Sequence, residues 1–212
     1  ALGSFLASFL RRYHGLDSQQ AGLFSGLVYG FGALGMFAAG FLGDRAFARR
    51  VSGRLQVAWI ALALAVPCVL LALAAPAGAS IRFAAWLLPA CMMMYAYYGT
   101  VYASIQDIIE PSLRGIAMAV YFCAMYLLGG VLGPVATGWI SDHFAARAAE
   151  LAGVQATLMP NGRVLVPDEF RAVGLHQAMY VIPCLCVPLV LVLFAASRTV
   201  TRDRERLLER TR

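Results

Sequence analysis

The chain has 212 residues, of which 61% are hydrophobic and 13% charged; its formal net charge is +6 and its mean hydropathy is +0.72. Soluble globular domains are roughly half apolar and a quarter charged, so this composition excludes an ordinary soluble domain. The positive charge does not indicate a nucleic-acid-binding protein either, because the sequence has no basic stripe interleaved with aromatic residues.

Long uncharged segments separate the charged residues. Each is longer than the about 20 apolar residues that cross a hydrocarbon layer about 30 Å thick. We therefore predict an all-α fold, a polytopic membrane helix bundle over residues 1–200. Five full spans are expected at about residues 19–43, 55–80, 83–106, 115–141 and 174–197, and residues 1–10 are expected to end a sixth whose beginning is missing. Residues 142–173 form an outer-side loop and residues 201–212 a basic tail.

The arginines indicate how these spans are oriented. When loops and chain ends are assigned alternately to the two sides, eleven arginines fall on the side of residues 44–54 and the C-terminus, and six on the other. Arginine-rich loops stay on the cytoplasmic side of a membrane. We therefore expect this loop and the tail to lie in the cytoplasm, with the protein in a bacterial inner (plasma) membrane.

Small residues at four-residue spacing recur in two of the predicted spans. They let helices approach closely where lipid removes the hydrophobic drive for association. Such contacts serve either as static packing or as surfaces on which helices slide during a conformational cycle. The helix-packing candidates are Gly22, Gly26, Gly30, Gly129, Gly133 and Pro134.

Other local signals concern helix ends and breaks. Asp17 or Ser18 is expected to cap the helix that follows. Five prolines lie inside spans, where each removes a backbone hydrogen bond and tends to kink its helix: Pro67, Pro89, Pro134, Pro183 and Pro188.

In the outer loop, a short helix is expected after Ser141, and Asn161-Gly162 predicts the turn of a β-hairpin. The five cysteines all fall inside spans without metal-site spacing, which indicates packing residues.

Two groups of charged residues lie on the predicted cytoplasmic side, one after the first full span and one between the third and fourth. Opposite charges at neighbouring helix ends can pair, and helix N-termini attract carboxylates. The groups form either a solvated rim, whose ion pairs are worth about 0–1 kcal/mol each, or a gate. The gate candidates are Asp44, Arg45, Arg49, Arg50, Asp107, Glu110 and Arg114.

Three segments resemble the major facilitator superfamily of transporters. "GFLGDRAFARR", residues 40–50, is similar to its cytoplasmic signature, and "SIQDIIEPSLRGIAMAVYF", residues 104–122, to its second cytoplasmic loop. "LLGGVLGPVATGWISD", residues 127–142, resembles its penultimate helix, particularly in the spinster-like branch. The resemblance covers essentially the whole chain.

This resemblance implies a secondary active transporter with twelve helices in two six-helix halves and a substrate bound between them. The long loop before the last helix, the "GP…SD" ending and the arginine tail resemble the C-terminal half. Implied partners are membrane lipid, the missing N-terminal six-helix half and a small-molecule substrate. The resemblance also implies that Asp44, Arg45 or Arg49, and Asp107 together form a cytoplasmic latch that holds the outward-open state. Gly43 and Phe47-Ala48 depart from the signature, which alters the turn but leaves these ion pairs possible.

A stripe of tyrosines is the candidate substrate surface. Tyr95, Tyr98 and Tyr102 recur on one helix face, and Tyr121 lies on the next helix. A buried hydroxyl needs a hydrogen-bond partner. We therefore expect these tyrosines to line a cavity; the alternatives are a position at the lipid interface or ordinary packing between helices. A wide apolar cavity with tyrosine hydroxyls suits a small organic solute of amphipathic or lipid-like character.

The sequence does not predict an enzyme, a metal site or a cofactor. No nucleophile motif or intramembrane acid pair is present, and the three histidines lie at the outer ends of spans. No ionisable residue lies deep in a span, so if transport is proton-coupled we expect the titrating carboxylate in the missing half. The alternative function is a non-transporting membrane subunit or assembly partner.

Overall fold

The computed structural model describes residues 2–154, 157–158, 164–165 and 167–210. Within these residues the chain forms eight α-helices: α1 (Leu2–Tyr13), α2 (Ser18–Phe47), α3 (Gly53–Leu73), α4 (Ser80–Asp107), α5 (Arg114–Ala124), α6 (Gly133–Leu151), α7 (Asp168–Met179) and α8 (Val181–Arg210). A 3₁₀ turn, Pro111–Leu113, precedes α5, and a π-helical segment, Met125–Leu132, joins α5 to α6. One continuous helix therefore runs from Arg114 to Leu151. The predicted all-α bundle is confirmed.

Four helical stretches of the described chain are long and apolar enough to cross a membrane: Ser18–Phe47, Gly53–Leu73, Pro111–Leu151 and Asp168–Glu209. The sequence predicts a further span at α4, which has 28 residues but is not among the four. α4 lies between α2 and α3 and packs along both. Because protein covers much of its surface, α4 can carry four tyrosines that lower its apolarity.

The start of α2 shows how the sequence sets a helix end. Asp17 is the cap: its Oδ1 accepts from the Gln20 amide at 2.7 Å, while Gln20 Oε1 accepts from the Asp17 amide at 3.3 Å. This reciprocal arrangement satisfies two amides that have no partner within the helix. Gly15, with a φ of 71°, turns the chain from α1 into this cap.

Two of the five prolines coincide with breaks in the helices. Pro134 has no amide hydrogen for the carbonyl of Gly130, and the backbone is π-helical directly before it. Pro183 likewise cannot donate to Met179, the residue at which α7 ends before α8 begins at Val181. The predicted span at 174–197 is therefore divided at Tyr180.

The outer connection is shorter than predicted. α6 continues to Leu151 instead of giving way to a separate helix after Ser141, and α7 begins at Asp168, so part of the predicted loop at 142–173 is helical. Two short strands, β1 (Thr157–Leu158) and β2 (Val164–Leu165), pair antiparallel as the predicted hairpin requires. Asn161 and Gly162 lie outside the described residues. Leu158 pairs with Val164, which leaves five residues between the strands, whereas a two-residue turn at Asn161-Gly162 would pair Leu158 with Leu165.

Three clusters of buried apolar residues lie within the described chain. One joins α1, α4 and α7 around Phe9, Phe83 and Leu175, and a second, nearer the C-terminal tail, joins α3, α4 and α8 around Leu62 and Leu193. A third, small cluster joins α6 to α7. The most apolar stretch of the 114–151 helix buries none of its residues against the rest of the described chain. That face is left for lipid or for another part of a larger protein.

Candidate cytoplasmic gate and tyrosine surface

An arginine in the first turn of α3 joins the ends of three helices. Arg54 Nε and Nη2 donate to Asp44 Oδ1 at 3.0 and 2.7 Å, and Arg54 Nη1 donates to Asp107 Oδ2. Asp44 lies near the end of α2, and Asp107 is the last residue of α4. The Asp107 side chain is 27% exposed and the Asp44 side chain 68%. The pair with Asp107 is therefore better shielded from water and contributes more per contact.

An aromatic ring connects the same arginine to the last helix. The Arg54 guanidinium lies 4.2 Å from the centroid of the Phe47 ring, and the guanidinium of Arg204 in α8 lies 4.9 Å from that centroid. Both distances are within the range of cation–π attraction. Four helix ends thus meet around Arg54 and Phe47.

The structure changes the membership of the predicted gate. Asp44 and Asp107 do come together, but the arginine between them is Arg54, not Arg45 or Arg49. Arg45, Arg49 and Arg50 are exposed and make no ion pair with any described residue. One sequence signal for Arg54 is its place at the start of the next span, but this does not separate it from Arg45, which also lies in a helix.

Glu110 and Arg114 also lie outside this network. Glu110 Oε1 accepts from Ser112 Oγ at 2.8 Å, and Arg114 Nε donates to the Ile109 carbonyl at 3.2 Å. Both contacts are local and shape the turn that leads from α4 through the 3₁₀ turn into α5.

The four predicted tyrosines form one continuous row. Ring centroids are 5.5 Å apart between Tyr95 and Tyr98, and 5.6 Å apart between Tyr98 and Tyr102. Tyr121 of α5 follows at 5.4 Å from Tyr102. All four side chains are half-buried. The row therefore crosses from α4 to α5 as a surface of rings and hydroxyls.

Three further residues that the sequence analysis missed complete this surface. The hydroxyls of Tyr97 and Tyr121 are hydrogen-bonded to each other, and the Tyr102 hydroxyl donates to Met125 Sδ at 3.6 Å. The Phe122 ring lies 5.2 Å from that of Tyr102. Tyr97 lies off the four-tyrosine stripe in sequence, and its partner on another helix could not be deduced from spacing.

The glycines that bring helices together are not the predicted ones. A Cβ at Gly35 would lie 2.0 Å from the Met92 carbonyl oxygen, and one at Gly32 would lie 2.9 Å from the Tyr95 ring. A Cβ at Gly99 would lie 2.9 Å from the Met36 carbonyl oxygen. These glycines set the close contact between α2 and α4.

The predicted glycines instead face away from the described chain. A Cβ at any of them would meet nothing within 4 Å: Gly22, Gly26, Gly30, Gly129 and Gly133. The first three line an open apolar groove of about 710 Å³ together with leucines and Phe31 of α2. Pro134 lines a second open groove beside Trp139. None of these five glycines packs two helices of the described chain together.

Comparison with known proteins finds solved structures with the same fold. No protein-family model and no curated protein matches the chain. Two crystal structures of a bacterial homolog to the human lysosomal transporter Spinster do, one inward-facing and occupied, the other inward-facing and unoccupied. Sequence identity is 24% with a TM-score of 0.75 for the first, and 26% with a TM-score of 0.77 for the second. Each match covers 96% of this chain, which spans about half the length of the matched chains, 46% and 45%.

The chain is a polytopic helix bundle that superimposes on half of a transporter, and it is therefore an integral membrane protein with the fold of a transporter half. The matched proteins are transporters and not enzymes. Its fold is that of a six-helix half of a major facilitator superfamily transporter, as in the Spinster homolog. This confirms the resemblance and the prediction that the chain is not an enzyme.

Proposed function

We propose that the chain is the C-terminal half of a secondary active transporter that moves a small organic solute, amphipathic or lipid-like, by alternating access. The observation that carries this proposal is the match of 96% of the chain to a transporter half at a TM-score of 0.77. The outer connection before the last helix, the "GP…SD" ending and the arginine tail support the C-terminal assignment. Such a cycle requires no bound cofactor.

The tyrosine row supports an amphipathic solute. The hydroxyls of Tyr95 and Tyr98 make no hydrogen bond to any described residue, so they remain available to a polar group of the solute. The rings offer apolar area, and Phe122 extends it. A surface with this mixture binds molecules that have both an apolar body and a polar group.

The outward-facing grooves support contact with the proposed partners, a second transporter half and membrane lipid. The glycine groove on α2 and the uncovered face of the 114–151 helix suit contact with an N-terminal six-helix half, because small residues permit close helix approach in a membrane. Large apolar side chains elsewhere on α2, such as Phe37 and Phe41, are more than two-thirds exposed and suit lipid.

The Arg54 network supports a role as a cytoplasmic gate. It holds the ends of α2, α3 and α4 as one unit, and the exposed Arg45, Arg49 and Arg50 beside it remain available to carboxylates of the other half. If those contacts form in one conformational state only, a few kcal/mol of differential solute binding suffices to break them.

A transport assay with the complete protein in proteoliposomes tests the function. We expect uptake of labelled amphipathic solutes but not of sugars, and we expect Tyr98→Ala to reduce that uptake by roughly tenfold, from the loss of an aromatic contact worth about 1 kcal/mol or more. Tyr126→Ala is the matched control, because Tyr126 is 64% exposed. A wild-type protein that carries none of the solutes would favour the non-transporting subunit.

The orientation can be tested by labelling from one side. In a cysteine-free background, Arg50→Cys and Glu150→Cys place exposed thiols at opposite ends of the bundle. We expect an impermeant maleimide added to intact cells to modify position 150 and to spare position 50 until the cells are lysed. Modification of position 50 in intact cells would contradict a cytoplasmic C-terminus.

A further inference from the structure

A buried histidine without a hydrogen-bond partner lies at the outer end of the bundle. His14 directly follows α1 and is 6% exposed, and both of its ring nitrogens are buried and have no hydrogen-bond partner among the described residues. Unpaired buried polar groups are rare in native proteins because they lose the hydrogen bonds that water would make. No part of the proposed transport cycle explains this one.

Aromatic rings enclose His14 on several sides. Its ring centroid lies 4.8 Å from that of Phe83, 5.2 Å from Tyr13 and 5.4 Å from Phe9. Phe9 and Phe83 are themselves among the most deeply buried side chains. This cage therefore joins the end of α1 to the start of α4, and a neutral imidazole packs in it as an aromatic ring would.

The ionisable groups around the cage offer no negative charge. The ionisable groups near His14 are Tyr13 at the end of α1 and His176 of α7, and the Tyr180 ring lies against that of His176. α4 contributes no ionisable group to the cage. His176 Nε2 lies 2.7 Å from the Leu73 carbonyl of α3, so that acceptor is already taken. The nearby arginines on α1 and α4 are exposed: Arg11, Arg12 and Arg82. No carboxylate of the described residues faces His14.

These surroundings favour the neutral imidazole. Burial lowers the pKa of His14, and electrostatic interaction with His176 lowers it further. A protonated ring can be hydrated only by leaving the cage. The adjoining Gly15 provides a hinge for this movement. Its φ is 71°, and a Cβ there would meet nothing within 4 Å, so no side chain hinders rotation at this point.

We propose that His14 is a proton-binding site: the neutral ring seals the ends of α1, α4 and α7 together, and protonation opens this seal. The seal is stable above the ordinary histidine pKa of about 6.5 and weakens as the pH falls below it, since the open form then binds a proton that the closed form does not. Any effect of this seal on solute entry rests on the proposed transport function, whereas the His14 site itself is defined without a solute.

Nuclear magnetic resonance can follow this site directly, because the chain has three histidines. In the complete protein labelled with ¹³C-histidine, we expect His14 to titrate below the ordinary histidine pKa of about 6.5. We also expect hydrogen-exchange protection of residues 6–14, corrected for intrinsic rates, to fall between pH 7.5 and 5 by up to about thirtyfold, the ratio that one proton at a pKa of 6.5 allows.

Two variants separate His14 from general acid effects. His14→Phe fills the cage without titrating and should keep the protection of residues 6–14 constant over this pH range, whereas His143→Phe should behave as wild type. An unchanged pH dependence in His14→Phe would overturn the proposal. So would titration of His14 at or above the ordinary histidine pKa of about 6.5 in the wild-type protein, a result that does not depend on any variant folding. Neither readout involves transport, so failure of the proposed function would leave this test intact.

Discussion

Arg54→Gln is expected to reduce transport steeply while the protein remains in the membrane. The substitution removes the positive charge between Asp44 and Asp107 and leaves two carboxylates facing each other at the ends of α2 and α4. Loss of about 1–3 kcal/mol from one of two balanced states would change their ratio by about 5- to 150-fold. Transport in proteoliposomes and cysteine accessibility on both membrane faces would measure the two effects.

The carboxylates should not contribute equally. Asp107→Asn should cost more than Asp44→Asn, because Asp107 is better shielded from water. Either one combined with Arg54→Gln should cost less than the sum of the single effects, since all three side chains belong to one network. Arg206→Gln is the control, because Arg206 is exposed on the neighbouring helix α8 and makes no ion pair with any described residue; it should have little effect. If Arg206→Gln and Arg54→Gln impaired transport equally, the network would not be the gate.

Gly35→Ala is expected to destabilise the folded bundle. The new Cβ would lie 2.0 Å from the carbonyl oxygen of Met92, a backbone atom that cannot rotate away. α2 and α4 would therefore have to separate, at a cost typical of an overpacked core, about 1–3 kcal/mol. For a chain of this size that lowers the midpoint of thermal unfolding by about 2–12 °C. Circular dichroism of the purified protein in detergent would measure the shift.

Gly40→Ala is the control, because it lies on the same helix and its Cβ would meet nothing within 4 Å. We expect its unfolding temperature to equal or exceed that of wild type, since alanine favours a helix more than glycine does. Equal losses from both variants would show that helix flexibility, rather than the contact with Met92, explains the effect. Gly26→Ala tests the outward-facing stripe: a loss there in the complete transporter would indicate packing against the other half.

The gate illustrates how far sequence reasoning reaches. The two carboxylates could be predicted, because Asp44 and Asp107 each stand at the end of an uncharged segment on the same side. The arginine could not, because four arginines of the same region lie close together along the chain. Which of them pairs depends on the rotation and height of α3 relative to α2 and α4, and spacing within one helix carries no such information.

The glycines and tyrosines show the same division. Four-residue spacing identifies a face of small residues on α2, yet it does not say whether that face points at α4 or outward. Gly35 rather than Gly26 meets α4, because α4 crosses α2 on the face that carries Gly32 and Gly35. The tyrosine stripe on α4 was visible as a periodic pattern, whereas the hydrogen bond between Tyr97 and Tyr121 joins two helices and appears only when they are packed.

The sequence by itself determined the class of fold and its likeness to a spinster-like transporter half. It could do so because a bilayer requires uncharged segments of a set length, and because signature motifs are local. Only the tertiary structure decided that Arg54 bridges Asp44 and Asp107, that α2 meets α4 at Gly35, and that His14 is buried without a hydrogen-bond partner among the described residues. Each of these contacts depends on how separate helices are placed in space, which is the outcome of packing over the whole bundle.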